Sequence, residues 1–151
     1  MFPGDFDPFA FFEGRTTGAG VITDPFSRVI RRCVITTEGL PSREFAALHF
    51  DEAYVYDDGS PDDVMHWAVT RAEGAFDAAE PSVIGKVRAR LDGPRWRIDF
   101  RRHLRPPNAG PVVLYRADFT LLNHDLVMKT VAIKLFGVTV ARLQGFHRQV
   151  Y

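Results

Sequence analysis

Apolar and polar residues alternate with a period of two along most of the chain, and the 3.6-residue spacing of an amphipathic helix is scarce. Punctuation falls at Asp24-Pro25, Gly39-Leu40-Pro41, Asp58-Gly59-Ser60-Pro61, Glu73-Gly74, Asp92-Gly93-Pro94, Asn123-His124-Asp125 and Gly137. The β-branched and aromatic runs between these breaks predict about ten strands. They are placed at 15–23, 28–38, 45–57, 64–73, 75–80, 83–91, 95–104, 112–122, 126–136 and 138–149. Short turns between regularly spaced strands make an antiparallel meander, which must close on itself or stack to remove its edges. One short helix is predicted before Phe12, with Asp7-Pro8 as its start. The stretch RPPNAGP, residues 105–111, reads as an irregular loop at a rim.

Two adjacent strands show which face turns inward. Val87, Ala89, Leu91, Trp96, Ile98 and Phe100 form one set; Arg88, Arg90, Arg95, Arg97, Asp99 and Arg101 form the other. A turn at Asp92-Gly93 would set Arg90 beside Arg95 and Arg88 beside Arg97. Like charges paired across strands need water or counter-charges, so this face is expected outside. Lys86–Arg105 holds eight bases against two acids, which leaves an acidic partner as an alternative use of that face.

Composition narrows the class. A chain of 151 residues, 46% hydrophobic and 25% charged, is the size and make-up of one globular domain spanning 1–151. Nineteen basic and nineteen acidic residues cancel, so no overall field favours nucleic acid or an anionic membrane. The single cysteine, Cys33, excludes an internal disulfide and a cysteine zinc cluster, and reads as a small apolar strand residue. The first residues lack the basic start and unbroken apolar core of a secretory signal. No stretch approaches ~18 apolar residues, so no integral membrane segment is expected. These features lead to a cytoplasmic expectation, with homo-oligomerisation left open.

Candidate chemistry is sparse. FFEGRTTGAG, residues 11–20, is glycine-rich, but only Arg15-Thr16-Thr17 separate Gly14 from Gly18, and Ala19-Gly20 stand where a phosphate loop needs Lys and Ser/Thr. Glycines within a strand instead suit a bend or a close backbone approach. Six acids lie between Asp51 and Asp63, yet alternation splits them between faces, and Asp57-Asp58-Gly59 is turn chemistry. Glu52 differs, because it shares a face with Leu48, Phe50, Tyr54 and Tyr56. A carboxylate there needs a partner, and Arg71, on the face of Met65, Trp67 and Val69, is the nearest candidate. Tyr115 and Phe119 likewise share one face, and Trp67 and Trp96 complete the interior set. The five histidines show no zinc spacing, and no serine sits in a nucleophile elbow, so neither metal nor catalytic residues are assigned.

Phe12-x-Gly14 with Gly20, Arg31-Arg32, the D-E-x-Y-x-Y-D-D-G of residues 51–59, Trp67 and Lys134-x-Phe136-Gly137 occur in this order. In these residues the chain resembles an uncharacterised bacterial family of lipocalin-like proteins, often described as lipoproteins. The resemblance covers roughly residues 11–149. It implies an all-β fold: an antiparallel, up-and-down, lipocalin-like (calycin) barrel whose interior can hold a small molecule. It brings no catalytic residues. Two departures stand out: this chain has no lipid-attachment cysteine near its start, and His66 precedes Trp67 where the family often has arginine.

The reading that follows is a binding module for a small hydrophobic or amphipathic ligand such as a fatty acid, with no cofactor. Glu52, Tyr54, Tyr56 and Arg71 would orient a polar group, and Trp67, Trp96, Tyr115 and Phe119 would supply apolar wall. Two alternatives remain open. One is an isomerase or cyclase using Tyr or Glu as acid and base. The other is a filled-core scaffold that binds a protein through its arginine-rich face.

Overall fold

The computed structural model describes residues 4–42, 44, 46–106 and 108–151. A short helix α1 (Pro8–Phe12) precedes ten strands: β1 (Gly14–Thr23), β2 (Val29–Ser42), β3 (Ala47–Tyr56), β4 (Asp63–Ala72), β5 (Ala75–Ala79), β6 (Val87–Asp92), β7 (Arg95–Arg105), β8 (Ala109–Asn123), β9 (Leu126–Leu135) and β10 (Val138–Val150). Each strand pairs antiparallel with the next, and β1 pairs with β10 to close the barrel. The all-β, up-and-down reading is therefore met, and closure leaves no free sheet edge around the ring.

Three predicted features shift. Gly39-Leu40-Pro41 does not end β2, which continues to Ser42. Pairing with β1 stops at Gly14 opposite Gly39, so Pro41 has β3 on one side only, and its missing N–H costs no ladder bond. Residues 83–86, predicted as strand, lie outside β6; Val83 forms an isolated bridge to Arg102, and the Ile84 N–H donates to the Arg101 carbonyl at 2.8 Å. The expected loop 105–111 shrinks to the junction between Arg105 and Ala109. Phe45 and Pro107, the first expected residue of β3 and a residue of that loop, lie outside the described residues.

The β6–β7 hairpin keeps its predicted faces with a changed register. Asp92 pairs with Arg95 and Arg90 with Arg97, because the turn is Gly93-Pro94 rather than Asp92-Gly93. Moving a turn by one residue shifts partners by two, so the inward set is unchanged. Outside, β8 supplies counter-charges: Arg97 makes two hydrogen bonds to Asp118, at 2.8 and 3.2 Å, and Arg116 binds Asp99 at 3.1 Å.

One end of the barrel is shut. Asp7 caps α1 by accepting from the Phe9 N–H at 3.0 Å, and Pro8 opens the helix. The helix carries Phe11 and Phe12 inward, Phe12 with no exposed surface. Phe12 stacks on Phe50 with ring centroids 4.7 Å apart and meets Phe119 edge-on at 5.6 Å. Phe6 and Trp96 extend this aromatic plug, and the Phe6 N–H ties it to the Gly93 carbonyl at 2.9 Å. The plug explains two glycines of the sequence. A Cβ on Gly39 would lie 1.7 Å from the Phe12 carbonyl oxygen, and one on Gly18 would lie 1.6 Å from that of Phe146 in β10. Gly39 lets the helix seat, and Gly18 lets β1 and β10 approach where the barrel closes.

Candidate functional site

Above the plug, the barrel is hollow. A cavity of about 740 Å³ runs from a polar floor to the opposite end of the barrel. Its waist is apolar and aromatic, including Met65, Trp67, Ile98, Phe100, Val131 and Leu143. Phe100 stacks on Tyr115 at 5.0 Å and meets Trp67 edge-on at 5.3 Å. At the mouth stand Ile22, Ile30, Arg31, Asp62, Leu104, Arg105 and Val140.

The floor is built from strands that are distant in sequence. Glu52 and Tyr54 alternate with outward residues along β3, so both point in. Lys129 comes from β9, where it shares the inward face with Val127 and Val131. Its Nζ donates to Glu52 Oε2 at 2.7 Å and also to the Tyr54 hydroxyl. The ammonium further lies 5.0 Å from the centroid of the Phe119 ring. Glu52 and Lys129 are 2% and 3% exposed, so water screens this pair very little.

Beneath the pair, His147 of β10 is wholly buried. Its Nδ1 lies 3.2 Å from the Thr16 hydroxyl, which in turn is 2.6 Å from the hydroxyl of Thr37. Its Nε2 faces Glu52 Oε2 at 3.7 Å, beyond hydrogen-bond reach. Phe12 closes against the same imidazole edge-on at 5.8 Å, which joins plug and floor.

Burial and pairing set the protonation states. Burial is the largest single influence on Glu52 and opposes its ionisation, but the charges of Lys129 and His147 and the hydrogen bonds from Lys129 and Tyr54 together hold the carboxyl below its ordinary value. Burial, then the Glu52 charge, pushes the Tyr54 phenol well above its usual range. Burial also lowers His147 to about 4, with Glu52 opposing in part. At neutral pH the Glu52 carboxyl is thus ionised, while the Tyr54 phenol and the His147 imidazole are neutral.

A second ion pair lines the wall. Arg102 of β7 makes two hydrogen bonds to Asp63 of β4, at 2.8 and 3.2 Å, while its Nε has no partner among the described residues. Asp63 and burial contribute to pushing Tyr56 up to about 12, burial being the larger influence. Arg31 covers the Tyr56 ring at 4.9 Å and reaches Asp58 at 3.5 Å.

Six of the predicted interior residues, Glu52, Tyr54, Tyr56, Trp67, Tyr115 and Phe119, line this cavity. Two do not. Trp96 has no exposed surface and belongs to the plug, packed against Phe6, Phe76 and Phe119. Arg71 has the inward parity but stands at the shut end. There α1 displaces it outward over the rings of Phe9 and Phe76, where it binds Asp7 at 3.2 Å. The partner of Glu52 is accordingly Lys129, not Arg71.

Lys129, His147, Arg102 and the Thr16–Thr37 pair are the site residues that sequence reasoning missed. Lys129 carried a signal, since a lysine in phase with Val127, Val131 and Ile133 breaks an apolar face. Its partner is 77 residues away on a strand that is not its neighbour in the sheet, so only barrel closure reveals the pair.

Among the described residues no helix is long and apolar enough to cross a membrane. The sequence model of a family described as a protein of unknown function, DUF3833, matches residues 3–149. No curated protein matches the chain.

Proposed function

The chain belongs to the DUF3833 family, and we propose that it is a binding module that holds a small hydrophobic or amphipathic molecule inside its barrel. The observation that carries this reading is the cavity itself. It is shut by aromatic rings at one end, walled by apolar side chains, and floored by a buried ion pair. Its volume falls within the range of about 300–1,000 Å³ usual for small-molecule sites. A few fixed polar groups in an apolar chamber give such a site orientation, and the area removed from water gives it affinity.

Native mass spectrometry of the purified protein, together with displacement of an environment-sensitive apolar dye, tests the reading. Dye binding should saturate at one molecule per chain. Ala117→Phe, which places a ring in the cavity from a small buried wall residue, should abolish it without unfolding the protein. Absence of saturable dye uptake and of any retained molecule would remove the proposal.

One observation favours an enzymatic second reading. The phenol of Tyr54 stays protonated beside an ionised Glu52, and environments that push two titratable groups apart suit acid and base roles. An isomerase of that kind would exchange the α-protons of an apolar ketone with deuterated water, and exchange no faster than in Glu52→Gln would end this reading.

A further inference from the structure

The charge balance of the floor indicates which ligand end it receives. The ammonium of Lys129 has three N–H donors, of which Glu52 and Tyr54 take two. The third has no hydrogen-bond acceptor among the described residues, and the rings of Tyr54 and Phe119 lie 4.9 and 5.0 Å from the ammonium. A carboxylate accepts about four hydrogen bonds, so Glu52 keeps lone pairs beyond those used by its neighbours. Both residues line the cavity. An open donor and an open acceptor are therefore offered side by side, and the two formal charges cancel.

A ligand carboxylate placed there would make the buried floor net negative and would sit beside Glu52. In a poorly screened chamber this like-charge contact is costly, and Lys129 is already shared between two oxygens. A hydroxyl or a primary amide meets no such cost. It accepts from the third N–H of Lys129 and donates to Glu52. On the wall Arg102 is paired with Asp63, and the other lining arginines, Arg31 and Arg105, stand at the mouth rather than the floor.

We propose that the floor of the cavity receives a neutral ligand group that both accepts and donates a hydrogen bond, an aliphatic alcohol or primary amide, and disfavours carboxylates. This assignment rests on the ligand-binding reading above and narrows it. It reverses the simplest expectation for a barrel with a buried lysine, a fatty acid held by its carboxylate. Ile133, the cavity residue four positions beyond Lys129 on β9, sits about 13 Å along the strand and about 10 Å along the barrel axis, a span suited to about eight to ten carbons.

Isothermal titration of the full chain with 1-decanol, decanamide and sodium decanoate at pH 8 tests the proposal. The alcohol and amide should bind at least about tenfold more tightly than decanoate, a preference of about 1.4 kcal/mol. Decanoate affinity should rise as pH falls from roughly 8 to 5 and the ligand acquires its own proton, with decanol unchanged. Glu52→Gln leaves the Lys129 charge unopposed and should invert the order in favour of decanoate. Decanoate binding as tightly as decanol to the unmodified protein, with no dependence on pH, overturns the assignment whether or not the variant folds. If none of the three binds while the apolar dye does, the cavity reading stands and this one falls. If nothing binds, both fall.

Discussion

The two ends of the barrel are made of similar residues and do opposite things. At the shut end Phe6, Phe11, Phe12, Phe50, Trp96 and Phe119 fill the space between the strands. At the open end the large apolar side chains of the turns face water instead, with Phe26 78% and Phe136 85% exposed. The difference comes from residues 4–13, which pack onto the strand-borne rings at one end. A capped five-residue helix closes one end, and the other has no comparable cover among the described residues. Aromatic content alone therefore predicts neither a core nor a cavity; what crosses the end of the sheet decides.

The sharpest way to break this contrast is at the boundary between plug and cavity. Lys129→Met strands the Glu52 carboxylate in a site with almost no water. It should cost about 3–5 kcal/mol in urea unfolding followed by tryptophan fluorescence. Adding Glu52→Gln should restore most of that loss, since an absent pair is better tolerated than half of one. Phe12→Ala should cost a similar amount, about 3–5 kcal/mol. It opens the shut end, so dye binding should weaken even in conditions where the chain stays folded.

Acid should attack the same region. His147 titrates near 4 when folded, against 6.5 as its ordinary value. As pH falls the unfolded chain takes the proton first, so the stability present above about pH 6.5 declines until about pH 4. At 1.36 kcal/mol per pKa unit the total is about 3 kcal/mol. Below about pH 4.5 the stability held by ionised Glu52, whose carboxyl is lowered from that value, is lost in turn. His147→Gln should flatten the decline between pH 6.5 and 4 in unfolding curves, and an unchanged slope would assign the acid sensitivity to other groups. The smallest effect is expected at the mouth. Phe136→Ser alters a ring in water and should change stability by no more than about 0.5 kcal/mol by the same assay.

The helix start at Asp7-Pro8, the ten strands and the inward faces were legible from the chain because each is a local rule: a cap, a turn or a two-residue period. Glu52 was visible as a charge on an apolar face, and so was its need for a partner. Arg71 was a poor candidate for reasons no local pattern holds, since helix α1 crosses the sheet where that arginine would turn in. The β6–β7 register slipped for a similar reason, because Asp92-Gly93 and Gly93-Pro94 are both competent turns. Alternation fixes the face of a residue but not its height along the barrel axis. The sequence alone thus determined an antiparallel meander that had to close or stack, its inward-facing residues and a buried carboxylate. Only the tertiary structure decided which end is shut, that Gly18 and Gly39 serve close approach, and that Lys129 and His147 meet Glu52. Those contacts join strands far apart in the chain, and their geometry exists only after β1 has paired with β10.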